Sequence, residues 1–166
     1  MIHDAAVSKA REIASGVLAP SAGKNDTDGR FSTEAVQSLG ESGLLGLLLS
    51  ADLGGAGLGP RTFAGVTATL AEADASVAMV YVMHILATAS MSAARPGAAG
   101  AVTPILREIA AGRHLSTLAF SEAGSRSHFW APLSRAQRNG DGVVDQHILA
   151  NGDVELVGDQ PFDQMP

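Results

Sequence analysis

The sequence predicts an α+β protein, an N-terminal all-α helical bundle followed by a short, incomplete antiparallel β-region. Three observations carry this. Apolar residues recur at helical spacing through the first 114 residues. After Leu115 the pattern becomes short extended runs, with Asn139-Gly140-Asp141-Gly142 as a strong hairpin signal. The charge also changes character. Residues 1–138 hold 11 Lys and Arg against 11 Asp and Glu, whereas six acids and no Lys or Arg follow Arg138.

Composition narrows the function classes. At 46% hydrophobic residues the chain carries enough apolar material for a core. Only 4% are aromatic, which favours closely packed helices with small side chains over an aromatic-rich sandwich. The lack of cysteine excludes disulfides, thiolate metal sites and a cysteine nucleophile. No clustered basic face suggests nucleic acid. Met1 is followed by His3 and Asp4 in an amphipathic pattern, so no secretory leader is expected and a cytoplasmic location is the default.

Taken in order, Ile2 to Leu18 fits a first helix, with Ile2, Ala6, Ala10, Ile13 and Val17 at helical spacing and a stop before Pro20. Ser21 to Arg30 reads as a polar loop. A second helix starts at Phe31-Ser32, with Ser32 as cap and Phe31 stapled on Val36, and ends near Gly43. Leu44 to Leu49 is a short apolar run. The glycines of Gly54-Gly55-Ala56-Gly57-Leu58-Gly59 invite a phosphate-loop reading, but the spacing fits neither the dinucleotide fingerprint nor the P-loop. A tight turn before a helix at Pro60 is the plainer reading.

The third helix covers Pro60 to Ala73, with Phe63, Val66 and Leu70 on one face, and Asp74-Ala75-Ser76 interrupts it. Ala75 to Ala94 then runs for 20 residues without Asp, Glu, Lys or Arg. That matches the length needed to span a bilayer, about 20 residues. Ten of these residues are Ala, Ser or Thr, and His84 lies in the middle. A buried bundle helix therefore suits the stretch better, with His84 a hydrogen-bonded core residue rather than a ligand or base. Arg95-Pro96-Gly97 should break the chain. A further helix is expected over Thr103 to Ala111, with Thr103 as cap, Pro104 first in the helix and Gly112 past its end. Leu115 to Phe120 and Leu133 to Arg138 read as strands, with the loop Ser121 to Pro132 between them.

Four stretches in this order resemble the acyl-CoA dehydrogenase family. They are Glu41-Ser42-Gly43-Leu44-Leu45-Gly46-Leu47 with Leu53-Gly54-Gly55-Ala56-Gly57-Leu58, then Glu72-Ala73-Asp74-Ala75-Ser76, then Pro104 to Gly112, then Leu118 to Ser127. The resemblance implies a helical domain over 1–114 and, over 115–142, the start of a middle β-barrel-like domain with its flavin-proximal loop. The family's Lys-x-Trp-Ile-Thr strand pair is missing after Gly142, so 143–166 is expected to be a divergent acidic tail, read out of the ancestral frame or replaced. The family's C-terminal four-helix bundle, with its catalytic Glu, is expected to be absent. The helical block should then leave an apolar face uncovered.

The resemblance further implies FAD as cofactor and an acyl-CoA thioester as substrate, oxidised between its α and β carbons. Cofactor contacts fall on Leu118, Phe120, Ser121 and Ser127, and Ser127 also meets substrate. Ser121 stands where the family has Thr and offers its hydroxyl to the flavin, with the Phe120 backbone alongside. Leu118 replaces an aromatic and packs. Arg126 replaces a Gly, and either reaches a phosphate or is solvated. His128-Phe129-Trp130 packs on a flavin or on the adjoining strand. Glu122 matches a flavin-loop position and not the base, so no catalytic residue is assigned, and no metal site is. FAD held tightly by this chain alone is not expected. A complementary C-terminal domain or chain and a homo- or hetero-oligomer are the implied partners. A flavin monooxygenase fragment of the same fold, a non-catalytic interaction module and a truncated product with no activity are the alternatives.

Overall fold

Pro20 does not end the first helix. In the computed structural model, which describes residues 1–118 and the strand residues 135–139, 142–148 and 154–157, α1 spans His3–Ile13 and passes through a π-turn at Ala14–Leu18 into α2, Ala19–Asp28. A π-turn shifts the ladder from i−4 to i−5 bonding, and Ala19 N–H accordingly donates to the Ala14 carbonyl. Pro20, which has no N–H, thus follows a point where the ladder is already displaced. The expected polar loop from Ser21 to Arg30 is corrected in the same way. It is helical to Asp28 and buries no residue, so its polar composition reported exposure rather than conformation. Gly29, at φ +62°, ends it.

α3, Thr33–Glu41, begins after Ser32 as the sequence suggested, but the Ser32 hydroxyl makes no capping bond and Phe31 is 53% exposed. Its end is made by Gly43 at φ +76°. A short 3-10 turn at Ala51–Leu53 and the glycine turn lead into α4, Pro60–Ala71, which buries Val66 and Leu70 as predicted. Asp74 then caps the next helix with its carboxylate, Oδ1 accepting from Ser76 N–H at 2.9 Å and Val77 N–H at 3.0 Å.

That helix, α5, runs unbroken over Ala75–Ala110 and contains both Pro96 and Pro104. The predicted break at Arg95-Pro96-Gly97 and the separate helix capped by Thr103 are therefore wrong. An interior proline costs about 3 kcal/mol, so something must hold the helix on either side. Before Pro96, the face of Val77, Ala78, Tyr81 and Ile85 lies in the main core with Ala6, Ala10, Leu18, Leu39, Leu45 and Leu70. Beyond it, Leu106 and Ile109 bury in a second cluster with Leu49 and Leu53. Pro96 itself is exposed, and Arg95 pairs with Asp52 at 2.8 Å. Ala75–Gly97 is long and apolar enough by composition to cross a membrane, with a mean hydropathy of 1.6. Its buried face here is the wall of a helical core.

Two backbones meet closely where α5 ends. A methyl group added at Gly40 would stand 2.5 Å from the Gly112 carbonyl oxygen, and Gly112 itself has φ +75°. After it, residues 115–118 form no strand, against expectation. The Ser116 N–H is given to a histidine ring and not to a neighbouring strand. Residues 119 and 120 of that predicted strand lie outside the described residues.

Residues Met1–Leu118 and Ala119–Pro166 are separate compact units. In the second, β1, Arg135–Asn139, pairs antiparallel with β2, Gly142–Ile148, in a register that runs from Arg135↔Gln146 to Asn139↔Gly142; Gly140 and Asp141 of the expected turn lie outside the described residues. β3, Val154–Val157, pairs antiparallel with β2, so β2 and β3 fall mostly within 143–166.

Two substitutions test this fold. Gly112→Ala demands a left-handed alanine and a clash with Gly40, and should lower the unfolding free energy by about 2 kcal/mol or more. Pro96→Ala restores a donor in an exposed helical stretch and should raise it by about 1–2 kcal/mol. Denaturant titration measures both.

Candidate functional site

The root of the expected flavin-facing stretch is the segment that leaves α5. Arg113 folds back on Glu108, with Nε at 2.7 Å and Nη2 at 2.8 Å from the two carboxylate oxygens. That hydrogen-bonded guanidinium holds the Glu108 carboxyl below its usual range and raises Arg113 in turn. Leu115 packs against the main core. Ser116 N–H donates to His84 Nδ1 at 3.0 Å. Leu118, the first of the expected cofactor contacts, is half-buried at the limit of the helical unit. Phe120, Ser121 and Ser127, with Arg126 and His128-Phe129-Trp130, lie outside the described residues.

His84 is fully buried, and geometry settles its tautomer. A backbone N–H can only donate, so Nδ1 must carry the lone pair. Nε2, 3.1 Å from the Leu45 carbonyl, must carry the hydrogen. Burial is the main reason its pKa falls below the usual 6.5, opposed by the Leu45 carbonyl and reinforced by the charge of His114. The neutral ring is thus a satisfied core histidine, as the sequence reading had it. One turn away, the Tyr81 hydroxyl donates to the Leu44 carbonyl at 3.1 Å. Burial pushes that phenol well above its usual pKa, and its ring lies 6.0 Å from Phe63.

These bonds answer a difficulty built into the Leu44–Leu49 run, which is buried but not helical. Its carbonyls need partners from elsewhere. Leu44 takes Tyr81 and the Leu47 N–H; Leu45 takes His84. The glycine turn supplies three more: Ala56 N–H bonds Gly46 at 3.1 Å, Leu58 N–H bonds Leu47 at 3.0 Å, and Gly57 N–H bonds Leu49 at 2.7 Å. Gly55 N–H is taken by Ser50 and Gly54 N–H by Ala51. Five of the six amides of Gly54–Gly59 are thus spoken for, Gly59 being the exception, so the turn's N–H groups serve the buried run and do not converge on a phosphate. A side chain at Gly55 would also overlap the Leu49 backbone.

Two further features are open to solvent. A cleft of about 500 Å³ lies between the end of α2, the start of α3 and the α4–α5 junction, with Asp26, Arg30 and Ser32 among its polar walls and Val36, Val77 and Val80 among its apolar ones. Leu118, the one expected cofactor contact among the described residues, does not line it. On α5, Met79 is 60% and Leu86 40% exposed, with half-buried Val82 and Met83 between them at helical spacing. This is an uncovered apolar stripe of the kind the sequence led us to expect.

Sequence reasoning placed His84 in the core but missed its partner Ser116 and missed Tyr81 altogether. The contacts span 32 and 37 residues, and no local pattern signals them. No curated protein matches the chain. The family model described as "Acyl-CoA dehydrogenase, N-terminal domain" matches residues 2–119, the whole of the helical unit but for Met1. The chain therefore belongs to the acyl-CoA dehydrogenase family, and its five helices are that family's N-terminal domain.

Proposed function

We propose that the chain serves a flavin-dependent acyl-CoA dehydrogenase, in which residues 118–127 line FAD and an acyl-CoA thioester is oxidised between its α and β carbons. The observation that carries the reading is the family match over 2–119. The anchored exit segment supports it, since the chain leaves the helical unit at Leu118, where the proposed lining begins.

The described residues fit the cofactor only in part. Leu118 offers an apolar contact, while five of the six amides of the glycine turn are taken by the protein's own carbonyls. Holding the flavin then falls to the Phe120 backbone and the Ser121 hydroxyl, with Ser127 toward the phosphates and the thioester substrate. When bound, FAD supplies the electron acceptor. The protein's part is to hydrogen-bond the ring and exclude water from one side of it. No residue of this chain is assigned to the substrate's α-proton. The uncovered stripe of Met79, Val82, Met83 and Leu86 suits a complementary C-terminal domain or chain that completes the site.

FAD fluorescence titrated with the purified chain tests the reading. Weak binding is expected, because one wall supplies few contacts. Ser121→Ala removes one hydrogen bond, about 1 kcal/mol, and should weaken binding roughly fivefold. Binding that is absent, or unchanged in Ser121→Ala, would contradict it.

A further inference from the structure

His84 does something that filling the core does not require. An imidazole at a fully buried position must be desolvated and have both nitrogens satisfied, which an aliphatic side chain avoids. Its two nitrogens face segments remote from each other in sequence, Leu45 and Ser116. Among the described residues, the Ser116 bond is the one hydrogen bond that ties residues 114–118 to the helices.

We propose that His84 is a positioning residue, a latch whose neutral imidazole fixes residues His114–Leu118 against α5 and the Leu44–Leu49 run, and whose protonation releases them. Its bearing on the flavin rests on the function proposed above; the latch itself does not. Ser121 lies five residues beyond Ser116, at most about 18 Å of extended chain. A fixed Ser116 therefore bounds where Ser121 can reach.

The release is selective for chemical reasons. Imidazolium has N–H groups at both nitrogens, so a proton on Nδ1 would face the Ser116 N–H donor to donor, and that bond is abolished. The Nε2–H bond to the Leu45 carbonyl survives and gains charge assistance. Among the described residues, few other charges intervene. The exit segment contributes His114, whose charge disfavours a second proton nearby, and Arg113, which is bound to Glu108. The Leu44–Leu49 run has no titratable group, and the rest of Ala75 to Ala94 has only Tyr81, held neutral by burial. Arg61 and Glu72 at the ends of α4, Glu34 and Glu41 on α3, and Asp52 are exposed. Because burial lowers the folded pKa, the latch is intact above the ordinary value of 6.5 and is lost as pH falls below 6.5 through the lowered folded value.

Nuclear magnetic resonance on the whole chain, without flavin, tests this. The expected results are an Nε2–H tautomer at neutral pH and a Ser116 amide protected from exchange roughly tenfold over that in His84→Leu. Protection at Ser116 should fall as His84 takes its proton, while the Ile85 amide in α5 stays protected. His84→Gln, which can accept and donate but does not titrate, should keep Ser116 protected to lower pH. An Nδ1–H tautomer, an unprotected Ser116 amide at neutral pH, or loss of protection at Ser116 and Ile85 together would overturn the latch. If His84→Gln fails to fold, the wild-type tautomer and protection still decide. Since no flavin is present, failure here is distinct from failure of FAD binding.

Discussion

The helical unit depends on satisfying the backbone of one buried, non-helical stretch. Leu44, Leu45, Leu47 and Leu49 supply much of the apolar core, yet their carbonyls cannot bond within a helix. The solution is divided between two neighbours. α5 contributes Tyr81 and His84 to two successive carbonyls, and the glycine turn contributes three amides. This requirement accounts for a run of glycines that looks like a phosphate loop and for two polar side chains in an apolar helix. It also fixes where α5 lies, since both side chains must reach carbonyls that the turn has already oriented.

The same constraint explains how α5 survives two prolines. Its first half is set by buried hydrogen bonds as well as by packing, and its last turns are set by Leu106 and Ile109 against Leu49 and Leu53. The middle, with Pro96 and Gly97 exposed, is carried between two fixed ends. Because Leu49 belongs to the run and also to the second cluster, the run links both ends of the helix. The Gly40–Gly112 contact then closes the unit where α5 gives way to the exit segment.

How much of this was legible in the sequence follows from the range of the forces involved. The periodicity of Val66 and Leu70, the helix break at Asp74 and the turn at Gly54–Gly59 are local, and each appears where the residues indicate. Pro20 and Pro96 misled because proline's cost is local while the compensation, a π-turn in one case and two distant core clusters in the other, is not. Ser116 read as part of a strand because its neighbours are extended and apolar, but its N–H is claimed by a histidine 32 residues earlier. Of the candidate site, the family and the role of His84 as a core residue were readable from sequence words and context. The tie between His84 and the exit segment was not, since it exists only once α5 is seated.

The most direct measurement of the central claim is the unfolding free energy of His84→Leu. If the helix is seated by satisfying buried backbone groups, the variant leaves the Leu45 carbonyl and the Ser116 N–H without partners and should lose about 2 kcal/mol or more. Stability equal to or above that of the parent chain, as expected if apolar burial alone held α5 in place, would contradict the account.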